Sequence, residues 1–300
     1  MGPTPFMSKL MSDLEQRMKS LCAGSAHSSD SCVAAIYGHL DAGGARLRAQ
    51  ICLDAGLRLK LSAADAIQLA ACCELLHNAS LIHDDLIDRT AMRRGHPCVW
   101  VEYGDTVAIC AGDLMLSSAY AALVSISKPG LIPSVLARVH MRAREVMLGQ
   151  VAVSTRTAST HPFDDYQRLA IGKSASLLSL SLELPLLLAG REDAFPIAQA
   201  ATTQFAVAYQ IADDLIDQVE DAREGSLNMV SLLQQASGLS RTEAEHAAAT
   251  RALAALSEAV ATGTTLPSGC AAALIASAES LQVRLSAVAP GSSLLVSSSR

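Results

Sequence analysis

Apolar residues recur with a helical period along almost the whole of this 300-residue chain, and alternating, strand-like stretches are scarce. That period restricts the chain to an all-α fold. It predicts helices near 5–22, 30–41, 45–59, 63–89, 105–126, 131–155, 163–189, 194–222, 226–236, 241–261 and 267–287. Breaks fall at Gly43-Gly44, Gly95-His96-Pro97, Pro129-Gly130, Gly190 and Gly238. Ser62 reads as an N-cap, with Asp65 three residues on in a capping-box-like start. No linker of domain-separating length interrupts the pattern. We therefore expect one helical domain over residues 1–290, a bundle of more than four helices, and a disordered Ser-rich tail over 291–300. Half of the residues are hydrophobic but only 3% are aromatic, so a large and mainly aliphatic core is expected.

Charge and cysteine usage narrow the classes of function. A formal net charge of −6 argues against nucleic acid, which needs a concentrated basic face, and favours a cationic cofactor. The eight cysteines are scattered without zinc spacing and read as reduced core thiols of a cytoplasmic protein. The N-terminal stretch lacks the apolar run of a signal peptide, and position 6 is Phe where a myristoylation site needs Ser or Thr. No uninterrupted apolar stretch of transmembrane length is apparent. The nearest, SLLSLSLELPLLLAG, carries Glu183 and Pro185 and reads as a buried core helix.

One internal echo organises the rest. The pentapeptide DDLID occurs at 84–88 and again at 213–217. On a helix, Asp84 and Asp88 lie one turn apart on one face, with Asp85 rotated by about 100°. Leu81, Ile82, Leu86 and Ile87 surround them. Asp213, Asp214 and Asp217 repeat the arrangement among Ile211, Leu215 and Ile216. An exposed acidic strip would account for one such cluster. Two identical clusters inside strongly apolar helices call for a compensating cation, because crowded carboxylates repel and burial costs several kcal/mol per ion. Oxygen-only ligands on rigid helices suit Mg²⁺, which takes a few carboxylates and completes its shell with water and phosphate. The economical arrangement is two carboxylate walls bridged by Mg²⁺ to a diphosphate, with the metal as Lewis acid on the leaving group.

These residues resemble the trans-isoprenyl (polyprenyl) diphosphate synthases. The stretch from Glu74 and His77 through Asp84, Asp85 and Asp88 to Arg93-Arg94-Gly95 is similar to that family's first aspartate-rich region. Tyr209-Gln210-Ile-Ala-Asp213-Asp214-Leu-Ile-Asp217 resembles its second, with Tyr for Phe. Gly112-Asp113, Gly149-Gln150 and Tyr166 followed by Lys173-Ser174 fall in family order, and Gly43-Gly44-Ala45-Arg46-Leu47-Arg48 resembles GGKRLR. The resemblance covers roughly residues 40 to 220.

The resemblance implies an isoprenoid-synthase-type bundle around a deep central cavity, a homodimer, and three Mg²⁺ per active site. Asp84 and Asp88 would hold two ions, with Asp85 supporting. Asp213 would hold the third, with Asp214 and Asp217 in its shell. Arg93, Lys173, Ser174 and Gln210 would bind the allylic diphosphate. Arg48, His77 and Arg94 would bind isopentenyl diphosphate. The implied activity is Mg²⁺-dependent head-to-tail addition of isopentenyl diphosphate to an allylic diphosphate.

Two departures bear on that reading. Ala45 stands where the family has a Lys that binds isopentenyl diphosphate; Arg46 is the neighbouring candidate to replace it. No Lys occurs after Lys173, where the family supplies lysines beyond its second aspartate cluster. They motivate an alternative, a terpene-synthase-like enzyme that ionises a prenyl diphosphate without elongating it. A non-catalytic partner subunit is a third reading, weakened by six retained aspartates. Ala79 and Ser80, one turn before Asp84, are the expected chain-length residues. Their small size predicts a geranylgeranyl or longer product; a large side chain from another helix would return it to farnesyl length.

Overall fold

The computed structural model describes residues 5–25, 30–154, 171–217 and 227–286, together with Phe163, Tyr166 and Arg168. Helices α1 (Pro5–Ala23), α2 (Ser31–Asp41), α3 (Leu47–Arg58) and α4 (Ala63–Ile87) come first. A short hairpin, β1 (Met92–Arg93) and β2 (His96–Pro97), separates them from α5 (Val99–Tyr103) and α6 (Asp105–Ala122). Then follow α7 (Ile132–Ser154), α8 (Ser176–Leu188), α9 (Phe195–Ile216), α10 (Met229–Ser237), α11 (Arg241–Thr264) and α12 (Ala272–Ser286). The all-α expectation holds: the two-residue strands of the hairpin are the only strands among the described residues.

The chain divides into two compact units, Met1–His140 with Leu180–Arg191, and Met141–Ser179 with Glu192–Ser299. In the first, α4 is the central element and packs on α1, α3 and α6. Its interior is aliphatic: Leu14, Met18, Ile36, Leu40, Ile51, Leu53, Leu69, Leu75, Ile82 and Met115 are fully buried. Ser62 caps α4 as expected, accepting from Asp65 N at 3.0 Å. The Asp65 carboxylate also accepts Ser127 N at 2.7 Å and Ser127 Oγ at 2.6 Å, tying the α6–α7 connection to the start of α4. In the second unit α9 packs on α11, and α11 on α12. Its core includes two aromatics, Tyr166 and Phe205.

Three sequence expectations need correction. The break at 95–97 is a hairpin, with Met92 opposite Pro97 and Arg93 opposite His96. Its central residues Arg94 and Gly95 both have positive φ, 54° and 77°, the pattern of a two-residue type I′ turn. The five-residue helix α5 was too short to show a period. One helix, Asp105–Ser125, is long and apolar enough by length and composition to cross a membrane, with mean hydropathy 1.7. Asp105 and Asp113 interrupt its apolar run in the sequence. Its Ala108, Ala111, Met115, Ala119 and Ala122 are fully buried against the first unit's core. The predicted tail 291–300 lies outside the described residues, as do 218–222 of the helix expected to reach 222.

Candidate active site

Both DDLID motifs sit at the C-terminal ends of their helices. Asp84 and Asp85 are in the last turn of α4 and Asp88 is its C-cap. Asp213 and Asp214 are in the last turn of α9 and Asp217 is its C-cap. That is the negative pole of the helix dipole, where each carboxylate is disfavoured by about 0.3–1 kcal/mol. Local helix energetics therefore oppose both clusters, and a cation is what would offset them.

Within each motif the middle carboxylate behaves differently from its neighbours. Asp85 is 2% exposed. Arg93 Nε lies 2.9 Å from both its oxygens and Nη2 lies 2.6 Å from Oδ1. This two-pronged pair pins the hairpin to the end of α4. Burial and the Asp85 carboxylate together push the Cys98 thiol up to about 12. Asp214 is equally buried. It accepts Gln210 Nε2 at 2.9 Å and Met229 N, the first residue of α10, at 2.7 Å. Asn228 Nδ2 donates to the Asp214 carbonyl at 2.9 Å, and Asn228 Oδ1 accepts from Val230 N and Ser231 N. Each middle aspartate thus anchors the segment that follows its helix. Asp84 and Asp213 are half-buried, and Asp88 and Asp217 are exposed.

The first unit gathers most of the expected phosphate-binding groups. Burial first, then Arg48, Arg94, Arg93 and His39, hold the His77 imidazole well below its usual range, so the ring lies in the field of all four. Arg94 Nη1 donates to the Gly43 carbonyl. Its guanidinium occupies the space a Cβ at Gly44 would need, with Cζ 2.6 Å from that position, so residue 44 must be glycine or Arg94 must move. Arg48 is half-buried. Ala79 is buried in α4, and the half-buried Ser80 turns its hydroxyl back to the His77 carbonyl at 2.7 Å.

Arg46, the neighbouring candidate to replace a lysine at 45, is held by protein partners. It is buried, with φ 48° at the N-terminus of α3. Nε donates to Glu15 at 2.6 Å and Nη2 to the Leu40 carbonyl at 2.8 Å, while Nη1 is 3.9 Å from Glu74. Each nitrogen of this guanidinium thus faces a protein group. Gln210, expected on substrate, is bonded to Asp214.

In the second unit Ile171–Ala175 forms one π-type turn before α8, carrying Lys173 and the half-buried Ser174; the Lys173 side chain lies outside the described residues. A Cβ on Gly149 would stand 2.8 Å from Gly172 Cα, so the Gly149-Gln150 pair of α7 meets this turn backbone to backbone. Gly112 is accounted for similarly. The His83 ring lies 2.2 Å from where its Cβ would be, with Nε2 3.5 Å from Asp113 Oδ1.

Sequence reasoning missed the supports. Arg89 forms a two-pronged pair with Asp105 at 2.9 Å, and Trp100 Nε1 donates to the Thr90 carbonyl at 2.8 Å. Glu74, buried, accepts Ala49 N at 3.0 Å and so caps the helix that carries Arg48. Asn78 joins Glu74 to His39. Helical periodicity does not mark these residues, since each has a partner outside its own helix. Among the described residues no three His, Cys, Asp or Glu side chains already form a metal cluster. The flanking aspartates do supply the hard oxygen donors that Mg²⁺ prefers.

A mostly helical frame whose acidic motif recurs at two helix ends, the first followed by an Arg-Arg-Gly turn, is that of the isoprenoid-synthase class of folds. A geranylgeranyl pyrophosphate synthetase from the archaeon Geoglobus acetivorans superposes with TM-score 0.80 over 92% of this chain and 98% of its own, at 23% identity, a likeness of fold. The chain belongs to the polyprenyl synthetase family, whose model matches residues 30–228. It is 38% identical over 153 residues to a (2E,6E)-farnesyl diphosphate synthase of Mycobacterium bovis. It is 34% identical over 154 residues to a geranylgeranyl diphosphate synthase of Mycobacterium tuberculosis. These matches span 50% and 51% of this chain but only 42% and 44% of those relatives.

Proposed function

We propose that this chain adds isopentenyl diphosphate head-to-tail to an allylic prenyl diphosphate, with Mg²⁺. The observation that carries the reading is the division within each acidic motif. The middle carboxylate is buried on protein partners, while the flanking pair lies more open at the negative pole of its helix. Asp84 and Asp88 would hold Mg²⁺ on α4, and Asp213 and Asp217 on α9, three ions in all. Bound there, the metal supplies Lewis-acid stabilisation of the leaving diphosphate.

The chain's own groups do the rest. Arg93, oriented by Asp85, keeps Nη1 for phosphate: that nitrogen has no partner among the described residues. Together with Lys173 and Ser174 it takes the allylic diphosphate. Arg48, His77 and Arg94 take that of isopentenyl diphosphate. The allylic C–O bond breaks, the double bond of isopentenyl diphosphate attacks C1, and a proton leaves to the released diphosphate. Charge stabilisation and the register of two substrates supply the rate. The buried, small Ala79 supports a geranylgeranyl or longer product. About half-exposed Met147, Leu148 and Val151 on α7 support a homodimer, and eight free cysteines fit a cytoplasmic location.

One observation favours the non-elongating reading: position 45 has no cation and Arg46 is bound to Glu15. Incubation with dimethylallyl, geranyl or farnesyl diphosphate and labelled isopentenyl diphosphate separates the two. Label in a longer prenyl product is expected, and chelation of divalent ions should abolish it. Diphosphate release without label would favour ionisation alone; no turnover would leave a non-catalytic subunit.

A further inference from the structure

With Ala45 apolar and Arg46 bound elsewhere, the isopentenyl diphosphate subsite keeps Arg48 and Arg94 but has no cation at position 45, and one neighbouring ring has the chemistry to supply a further one. A cavity of about 100 Å³ opens in the first unit, lined in part by His39, Arg93, Arg94, His96, Glu102 and Tyr103. Asn78 Nδ2 donates to the Glu74 carbonyl at 2.7 Å, so it is Asn78 Oδ1 that faces His39 Nε2 at 3.1 Å. Nε2 must therefore carry a hydrogen, and the neutral ring presents Nδ1 as a bare acceptor. His39 makes no other hydrogen bond among the described residues. Burial foremost, then Arg94, hold the imidazole down at about 4, with Asp85 pulling the other way and Arg93 adding to the depression. The ring is neutral near pH 7 when no anion is present. A neutral Nδ1 cannot donate to phosphate, but an arriving polyanion offsets the two guanidinium charges that suppress protonation.

We propose that His39 is a further binding residue of the isopentenyl diphosphate subsite, taking up a proton on Nδ1 as the anion enters and donating it to a phosphate oxygen while Nε2 stays on Asn78. The proposal rests on the prenyltransferase reading above. The proton comes from solvent or from the diphosphate's own last ionisation. The charged and titratable groups around the ring are His77 and Asp85 from α4, and Arg93, Arg94 and His96 from the hairpin. Cys98 before α5, and Glu102 and Tyr103 at the end of α5, line the same cavity, and Arg48 on α3 acts on the neighbouring His77. His77 shares the same field, so the total proton count does not isolate His39; the difference from a variant does.

The test is calorimetric titration of the full chain with Mg²⁺-free inorganic diphosphate near pH 7, in two buffers of different ionisation enthalpy. Wild type is compared with His39→Gln, which keeps an amide donor for Asn78 and cannot titrate. Wild type should take up about one more proton per diphosphate and bind about tenfold more tightly, as a charged hydrogen bond implies. That gap should shrink as pH rises. Equal proton counts and equal affinities overturn the proposal. Nitrogen NMR of wild-type His39 keeps the test open should the variant misfold: the ring should shift to imidazolium values on saturation, and one that stays neutral overturns the proposal. A wild type that incorporates label but shows no proton difference overturns His39 alone. A wild type that neither binds diphosphate nor turns over overturns the underlying reading as well.

Discussion

At the scale of single residues, burial separates aspartates that the sequence presents as equivalent. Asp84→Asn removes a flanking carboxylate and should cut turnover by about 10²-fold or more, in line with the loss of one electrostatic stabiliser. Its melting temperature should hold or rise, because a charge disfavoured at a helix C-terminus is gone. Asp85→Asn should instead cost about 3 kcal/mol of stability, since it leaves the Arg93 guanidinium without its anion. Thermal melts and steady-state rates on both variants distinguish the two roles. His39 adds a pH signature. Its folded value of about 4 lies below the ordinary 6.5, so the unfolded chain binds the extra proton between them. Stability from this ring is complete above about pH 6.5 and declines as pH falls toward about 4, by about 3 kcal/mol in all. Urea titrations across that range should show a flatter profile for His39→Gln.

At the scale of elements, two glycines that look alike in sequence answer to different neighbours. The Gly112 Cβ position meets the His83 ring, a half-exposed side chain that can swing aside. Gly112→Ala should be near neutral, the clash offset by about 1 kcal/mol of helix propensity. The Gly149 position meets the backbone of Gly172, which cannot yield without moving the turn that carries Lys173. Gly149→Ala should therefore cost about 1–3 kcal/mol in thermal melts and lower turnover further than the melt explains. Equal effects at the two sites would show that the close backbone contact is not a constraint. Arg89 and Arg94 make a related point. Both have positive φ, 55° and 54°, and each carries a guanidinium whose partner, Asp105 or the Gly43 carbonyl, lies outside its own element. Helical periodicity alone does not reveal such loop conformations.

At the scale of the whole molecule the open quantity is product length. Ala79 is 3% exposed and lies one turn before the first acidic motif. Ala79→Phe should shorten the prenyl product, read by chromatography of the labelled lipid, if apolar space lies under that turn. If α4 is instead tightly packed there, the variant should lose about 1–3 kcal/mol and leave product length unchanged. Either outcome identifies what surrounds α4 at that level.

The sequence by itself determined the helical class, most helix boundaries, the two acidic motifs, the Arg-Arg-Gly turn and the family they signal. Each of those rests on local spacing, which the period of a helix or the geometry of a short turn converts directly into position. Tertiary structure alone decided which carboxylates are anchors and which lie open, that Arg46 is turned to Glu15, that Gly112 accommodates His83, and that His39 faces an arginine-lined cavity. Those outcomes depend on partners outside the helix's own period, 8 residues away for Asp85 and Arg93 and 31 for Arg46 and Glu15. Burial and charge compensation, which no local pattern encodes, choose among chemically equivalent side chains.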